Sequence, residues 1–166
     1  MEICSRSAPE TMALGVRLAG LLRPGDVVVL SGDLGAGKTV LAKGIAAGLG
    51  VTGPVVSPTF TIVREYEGDV PLLHLDVYRL DHLQEVIDLG LDEILDGHAV
   101  TVVEWGEAVS ALLPADRLEV VLTAPPPEEA DDDTRVIELH GAGPSWQERD
   151  DALIAAVAAG PGNASA

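Results

Sequence analysis

The segment Gly32-Asp33-Leu34-Gly35-Ala36-Gly37-Lys38-Thr39 satisfies, without a mismatch, the pattern of glycine, four residues, then glycine, lysine and serine or threonine. Its flanks have the required character. Residues 26–30 (DVVVL) form a short apolar, β-branched run of the kind found in a buried strand. From Lys38 to Leu49 the spacing turns helical, with Val40, Leu41, Ile45 and Leu49 set for one buried side. A loop that wraps phosphates must aim backbone N–H groups inward, and Gly32, Gly35 and Gly37 permit that curvature without Cβ clashes. The helix that follows adds the positive end of its dipole. In this pattern Lys38 reaches the β and γ phosphates and the Thr39 hydroxyl binds Mg²⁺. A glycine-rich turn with a chance lysine would not explain both flanks, so the segment reads as a nucleotide site.

The remaining chain bounds what kind of nucleotide protein this is. A length of 166 residues suits one ordinary domain, and a hydrophobic share of 47% suits a globular core. No uninterrupted apolar run is long enough to span a membrane, and the first residues lack a basic-then-apolar leader pattern. The expected compartment is therefore the cytoplasm, with no membrane partner. There the closing triplet Asn163-Ala164-Ser165 has no glycosylation role. Cys4 is the single cysteine, which excludes an internal disulfide. The net charge is −17, Lys38 and Lys43 are the only lysines, and the arginines are scattered singly. A protein that grips nucleic acid itself should show a basic patch, so any nucleic acid is expected to be held by a partner.

Periodicity and punctuation predict the other elements. Ser7 and Glu10 form a capping box for a first helix that runs to about Leu22, ended by Arg23-Pro24-Gly25. Strands are expected over residues 61–65 and 72–78, joined as an antiparallel hairpin through Gly68-Asp69. In the second, His74, Asp76 and Tyr78 share one face, and Leu73, Leu75 and Val77 the other. Residues 81–96 are helical in spacing with a break at Gly90. Residues 99–103 form a further strand ending at Glu104-Trp105, and two more strands span 118–122 and 135–139. Between those two lies the acidic, proline-rich stretch 125–133, a solvated loop or disordered insert. A helix over 150–159 closes the fold before a frayed tail at 160–166. The fold class is thus α/β: a P-loop NTPase-like three-layer sandwich, with a mostly parallel central sheet and one antiparallel hairpin.

Turnover of a bound nucleotide needs an acid near Mg²⁺ and a group that orients the attacking water. Glu104 and Asp76, each ending an apolar strand, are the candidates. The metal is assigned to Glu104, whose strand is the more buried in character, leaving Asp76 to position or deprotonate water. Ser57-Pro58-Thr59 is either a switch loop, with Thr59 sensing the metal or γ-phosphate, or an ordinary turn. Trp105, directly after Glu104, should point to the opposite side, covering the nucleotide or packing in the core. His74 reads as a hydrogen-bonded structural histidine.

The phosphate loop, then Ser57-Pro58-Thr59-Phe60-Thr61, His74-Leu75-Asp76-Val77-Tyr78-Arg79-Leu80 and Val103-Glu104-Trp105, resemble the bacterial TsaE (YjeE) family in order and spacing. The likeness runs from the first helix to about Leu139. It implies a cytoplasmic ATPase required for the threonylcarbamoyladenosine (t6A) modification of tRNA, which binds the TsaB–TsaD pair and leaves the tRNA to TsaD. By motif, the resemblance gives ATP contacts to Asp33, Leu34, Gly35, Ala36, Gly37, Lys38, Thr39 and Val40. It gives Mg²⁺ to Thr39 and Glu104, a role in hydrolysis to Asp76, and a nucleotide contact to Arg135. Val40 departs from the family pattern, in which a second threonine often follows the first.

Two rival readings share the same loop. A small-molecule kinase would need a lid that supplies arginines, and only Arg64 and Arg79 lie mid-chain. A nucleotide-dependent binding switch would need no turnover. A GTPase is disfavoured because Asn163 is the only asparagine, so the Asn-Lys-x-Asp base-reading motif is absent.

Overall fold

The structure is a computed structural model that describes residues 1–57, 63–78, 88, 90–95, 97–126 and 133–160. Its elements run β1 (Glu2–Ser5), α1 (Ala8–Ala19), β2 (Val27–Ser31), α2 (Lys38–Gly48), β3 (Val63–Tyr66), β4 (Leu72–Asp76), α3 (Leu91–Ile94), β5 (Val100–Glu104), a 3₁₀ helix (Gly106–Leu112), β6 (Arg117–Thr123), β7 (Arg135–Ala142), α4 (Pro144–Gln147) and α5 (Asp150–Ala158). One sheet orders the strands β1-β7-β6-β2-β5-β4-β3. The four central strands, β6, β2, β5 and β4, are mutually parallel. The predicted hairpin forms between β3 and β4, with Arg64 opposite His74. The other margin is antiparallel as well, β6 to β7 and β7 to β1, which the expected single hairpin did not include.

Strands β2 and β5 are buried on both faces, so their residues run almost without polar alternation, whereas β6 is buried on one face only. Val28 and Leu30 face a cluster with Leu14, Leu18, Leu41 and Ile45 of α1 and α2, while Val27 and Val29 face Leu73, Leu75, Val103 and Val109. Burying each such side chain contributes roughly 1.5–3 kcal/mol before entropy is subtracted. The chain leaves β2 through α2 toward the β3–β4 side and later returns from β5 to β6 on the other. Ligands in open α/β sheets bind at the carboxyl ends of the strands where connections diverge this way.

Several expectations shift by a turn. Helix α1 ends at Ala19, and Leu21 and Leu22 continue as tight turns bonded to the Leu18 and Ala19 carbonyls. Leu22 stays buried in spite of this. Ser7 caps α1 by accepting the Glu10 N–H at 3.3 Å, but the Glu10 carboxylate accepts from Arg6 N rather than from Ser7 N. Strand β4 stops at Asp76, because the Asp76 carboxylate accepts the Tyr78 N–H at 3.0 Å and turns the chain. Strand β1, helix α4 and the 3₁₀ helix were not expected. Four residues are too few to show alternation, and β1 is stabilised by its pairing with β7, which is remote in sequence. The start of the hairpin, most of the helix expected over 81–96, residues 127–132 of the acidic stretch and the tail from 161 lie outside the described residues.

Candidate functional site

The phosphate loop leaves β2 at its carboxyl end and enters α2 at Lys38. All three glycines of the loop hold a positive φ, Gly35 at 79°. Gly37 holds φ at 104° where α2 begins, and Gly32 holds φ at 134° with its Cα turned onto the Leu122 carbonyl, where a Cβ would collide. Leu34, at the apex, is 81% exposed.

Lys38 is the most tightly held cation of the site. Only 4% exposed, it donates from Nζ to the Gly32 carbonyl at 2.6 Å and the Asp33 carbonyl at 2.8 Å. Its ammonium also lies 3.6 Å from the centre of the Trp105 ring. Burial lowers its pKa from the ordinary lysine value, opposed by the negative charges of Glu104, Glu107, Asp76 and Asp33.

Thr39, on the first turn of α2, donates its hydroxyl toward Glu104, with 3.0 Å to each carboxylate oxygen. Parallel pairing sets Asp76 beside Glu104 at the ends of β4 and β5. Glu104 is 2% exposed and would be costly to bury unpaired. Its second partner is His74, fully buried, with Nε2 at 2.8 Å from Oε1. The other ring nitrogen of His74 has no hydrogen-bond partner among the described residues.

Asp76 uses both oxygens. One accepts from the Ser57 hydroxyl at 2.7 Å and the other from the Tyr78 N–H. Ser57 of the serine-proline-threonine triplet is thereby tied to the strand end beside Glu104, while Pro58 and Thr59 lie outside the described residues. Trp105 adopts a left-handed backbone, φ 62° and ψ 30°, which is uncommon for a bulky residue. The ring packs against the cluster on the face of the sheet away from α1 and α2, yet also underlies Lys38 and meets the Tyr78 ring at 4.6 Å.

Arg135, at the start of β7, reaches the loop from the far side. It donates to the Ala36 carbonyl at 3.1 Å, the Gly35 carbonyl at 3.3 Å and the Thr134 carbonyl at 2.7 Å. The geometry therefore gathers Asp33 to Thr39, Glu104, Asp76 and Arg135 at one end of the sheet. Val40 sits half-buried one residue further along α2. Sequence reasoning missed the His74–Glu104 bond, the Tyr78–Trp105 pair and the nearness of Glu107 to Lys38. Alternation already put His74 and Asp76 on one face, but only the β4–β5 register brings Glu104 to them.

Thr39 and Glu104 make an oxygen donor set suited to Mg²⁺, which takes few protein ligands and fills its other positions with water and phosphate oxygens. Among the described residues no group of three or more His, Cys, Asp or Glu could hold a metal ion.

A parallel sheet with a glycine-rich loop running into a helix at its carboxyl edge defines the P-loop class of nucleotide-binding folds. Within that class, the model of the threonylcarbamoyl adenosine biosynthesis protein TsaE matches residues 5–134, and the chain belongs to the TsaE family. It is 46% identical over 139 residues to the tRNA threonylcarbamoyladenosine biosynthesis protein TsaE of Bacillus subtilis, covering 83% of this chain and 84% of that one. It is 47% identical over 146 residues to the Streptomyces coelicolor protein of the same name, covering 86% and 97%. The crystal structure of Bacillus subtilis YdiB superposes with a TM-score of 0.78 at 38% identity, over 93% of this chain and 94% of that one. Among the described residues no helix is long and apolar enough to cross a membrane.

Proposed function

We propose that this chain binds and hydrolyses ATP as an accessory protein of tRNA t6A modification, acting with the TsaB–TsaD complex in the cytoplasm. In this reading residues 1–166 form one P-loop ATPase domain. The observation that supports it is the Thr39–Glu104 contact beside the phosphate loop, a hydroxyl and a carboxylate of the kind with which P-loop enzymes hold Mg²⁺.

The roles follow from the chemistry of each group. Backbone N–H groups of residues 33–39 and the α2 N-terminus receive the phosphates, and Lys38 exchanges its two carbonyl acceptors for phosphate oxygens. Thr39 and Glu104 would hold Mg²⁺, whose charge would offset that of the phosphates. Asp76 orients the attacking water and, through Ser57, the loop that follows. Arg135 supports the loop from behind and contacts nucleotide. Asp33, Asp76, Glu104 and Glu107 surround Lys38 with negative charge, so nucleotide should bind poorly without a divalent cation. The net charge of −17 fits a protein that leaves tRNA to TsaD.

A nucleotide-gated switch without turnover is the second reading, favoured by the Ser57–Asp76 bond, which couples a loop to the site without requiring chemistry. A kinase is less well supported, since Arg64 lies on the edge strand β3, paired opposite His74 rather than in a lid. ATP turnover with and without the TsaB–TsaD pair separates these readings. Strong stimulation is expected; an unchanged slow rate favours the switch, and phosphate transfer to an added metabolite favours the kinase.

A further inference from the structure

We infer that His74 is a positioning residue for the metal site, one that orients the Glu104 carboxylate and so makes nucleotide affinity depend on a divalent cation. The inference rests on the ATP and Mg²⁺ reading above and adds a residue to it. Thr39 Oγ1 lies 3.0 Å from both carboxylate oxygens, a symmetric contact that does not distinguish one oxygen from the other. The His74 contact is not symmetric. Nε2 meets Oε1 alone, at 2.8 Å, from the adjacent strand and two residues before the end of the ladder. It breaks the equivalence of the two oxygens and sets the carboxylate plane.

In the contact with a carboxylate oxygen, which accepts hydrogen bonds, Nε2 is the donor. Nδ1 finds no partner among the described residues, and His74 is completely buried, on the face of β4 opposite Leu73 and Leu75. Packing alone would favour another leucine at this position. What the imidazole adds is one N–H aimed at one oxygen of Glu104. Partners of this kind, one step removed from a metal, fix ligand orientation, and their loss typically weakens metal affinity about 10–100-fold.

The test is calorimetric titration of ATP into the full chain, in EDTA and in excess Mg²⁺, with Mn²⁺ binding followed by electron paramagnetic resonance. For His74→Leu we expect unchanged affinity in EDTA, but loss of at least about tenfold of the gain that Mg²⁺ confers on the parent protein, and a matching loss of Mn²⁺ affinity. His74→Gln, whose amide N–H can reach where Nε2 lies, should recover most of that gain. His74→Asn, which is shorter, should not. A folded His74→Leu protein with the full Mg²⁺ gain overturns the inference. If the leucine variant does not fold, equal Mg²⁺ responses of the Gln and Asn variants overturn it instead. Absence of ATP binding by the parent protein at any Mg²⁺ concentration would sink the nucleotide reading itself, a separate result.

Discussion

Lys38 holds two carbonyls and an indole face in the place where phosphate oxygens would compete for it. A charge-assisted hydrogen bond contributes roughly 1.5–3 kcal/mol. Lys38→Ala should therefore weaken ATP binding at least about tenfold, since each 1.4 kcal/mol is a factor of ten. Unchanged affinity by calorimetry would remove the nucleotide from this loop. Asp76 makes a different kind of contact, to Ser57 and to a backbone N–H rather than to Lys38 or Thr39. Asp76→Ala should bind ATP nearly as well as the parent and turn it over at least about 100-fold more slowly, the usual scale for a lost acid–base group. Ser57→Ala should share part of that defect if the loop tie matters. Normal single-turnover rates in both variants would take Asp76 out of the mechanism.

Elements bring these groups together through close packing. Helices α1 and α2 meet at Gly15, where an added Cβ would lie 2.5 Å from the Leu41 carbonyl oxygen and 2.7 Å from Ile45 N. These are backbone atoms that cannot swing aside. Alanine would favour helix α1 by about 1 kcal/mol over glycine. Overpacking costs typically about 1–3 kcal/mol, and at a backbone contact the upper end applies. The clash wins, so Gly15→Ala should lower the unfolding midpoint. It should also lower ATP affinity, because α2 carries Lys38 and Thr39 at its start. A raised midpoint in thermal denaturation would show that the two helices separate freely.

At the scale of the molecule, the far end of the sheet is fastened by Arg149. Its guanidinium donates to both Asp26 oxygens, at 2.6 and 2.9 Å, and to the Leu21 carbonyl at 3.0 Å, and it stacks 4.1 Å from the centre of the Trp146 ring. The bond to Asp26 holds its pKa above the ordinary arginine value. This clasp ties the C-terminal segment to the turn between α1 and β2. Arg149 is 7% exposed, so its removal strands a largely buried carboxylate. Arg149→Ala should cost about 3 kcal/mol. For a chain of this size that is roughly a 6–12 °C fall in melting temperature. ATP affinity at the opposite edge should persist at temperatures where the variant is folded. A melting temperature equal to the parent's would mean the clasp contributes no net stability.

Local physics was enough to read the phosphate loop, the strand before it, helix α2 and the carboxylates at two strand ends. Glycine placement, β-branched runs and helical spacing act over a few residues and are written directly in the chain. Matching the Ser57, Asp76 and Glu104 motifs to a family extended that reading to most of the molecule. Long-range pairing was not legible. Only the β4–β5 register sets His74 and Asp76 beside Glu104, and only the antiparallel return of β7 carries Arg135 back to the loop. Strand β1 forms on an edge that exists once β7 is in place. Alternation gave the face on which the Trp105 ring packs, but only the left-handed turn at Trp105 sets that ring beneath Lys38. Contacts between residues 30 to 138 positions apart depend on how the sheet is ordered, and short-range periodicity carries no information about that order.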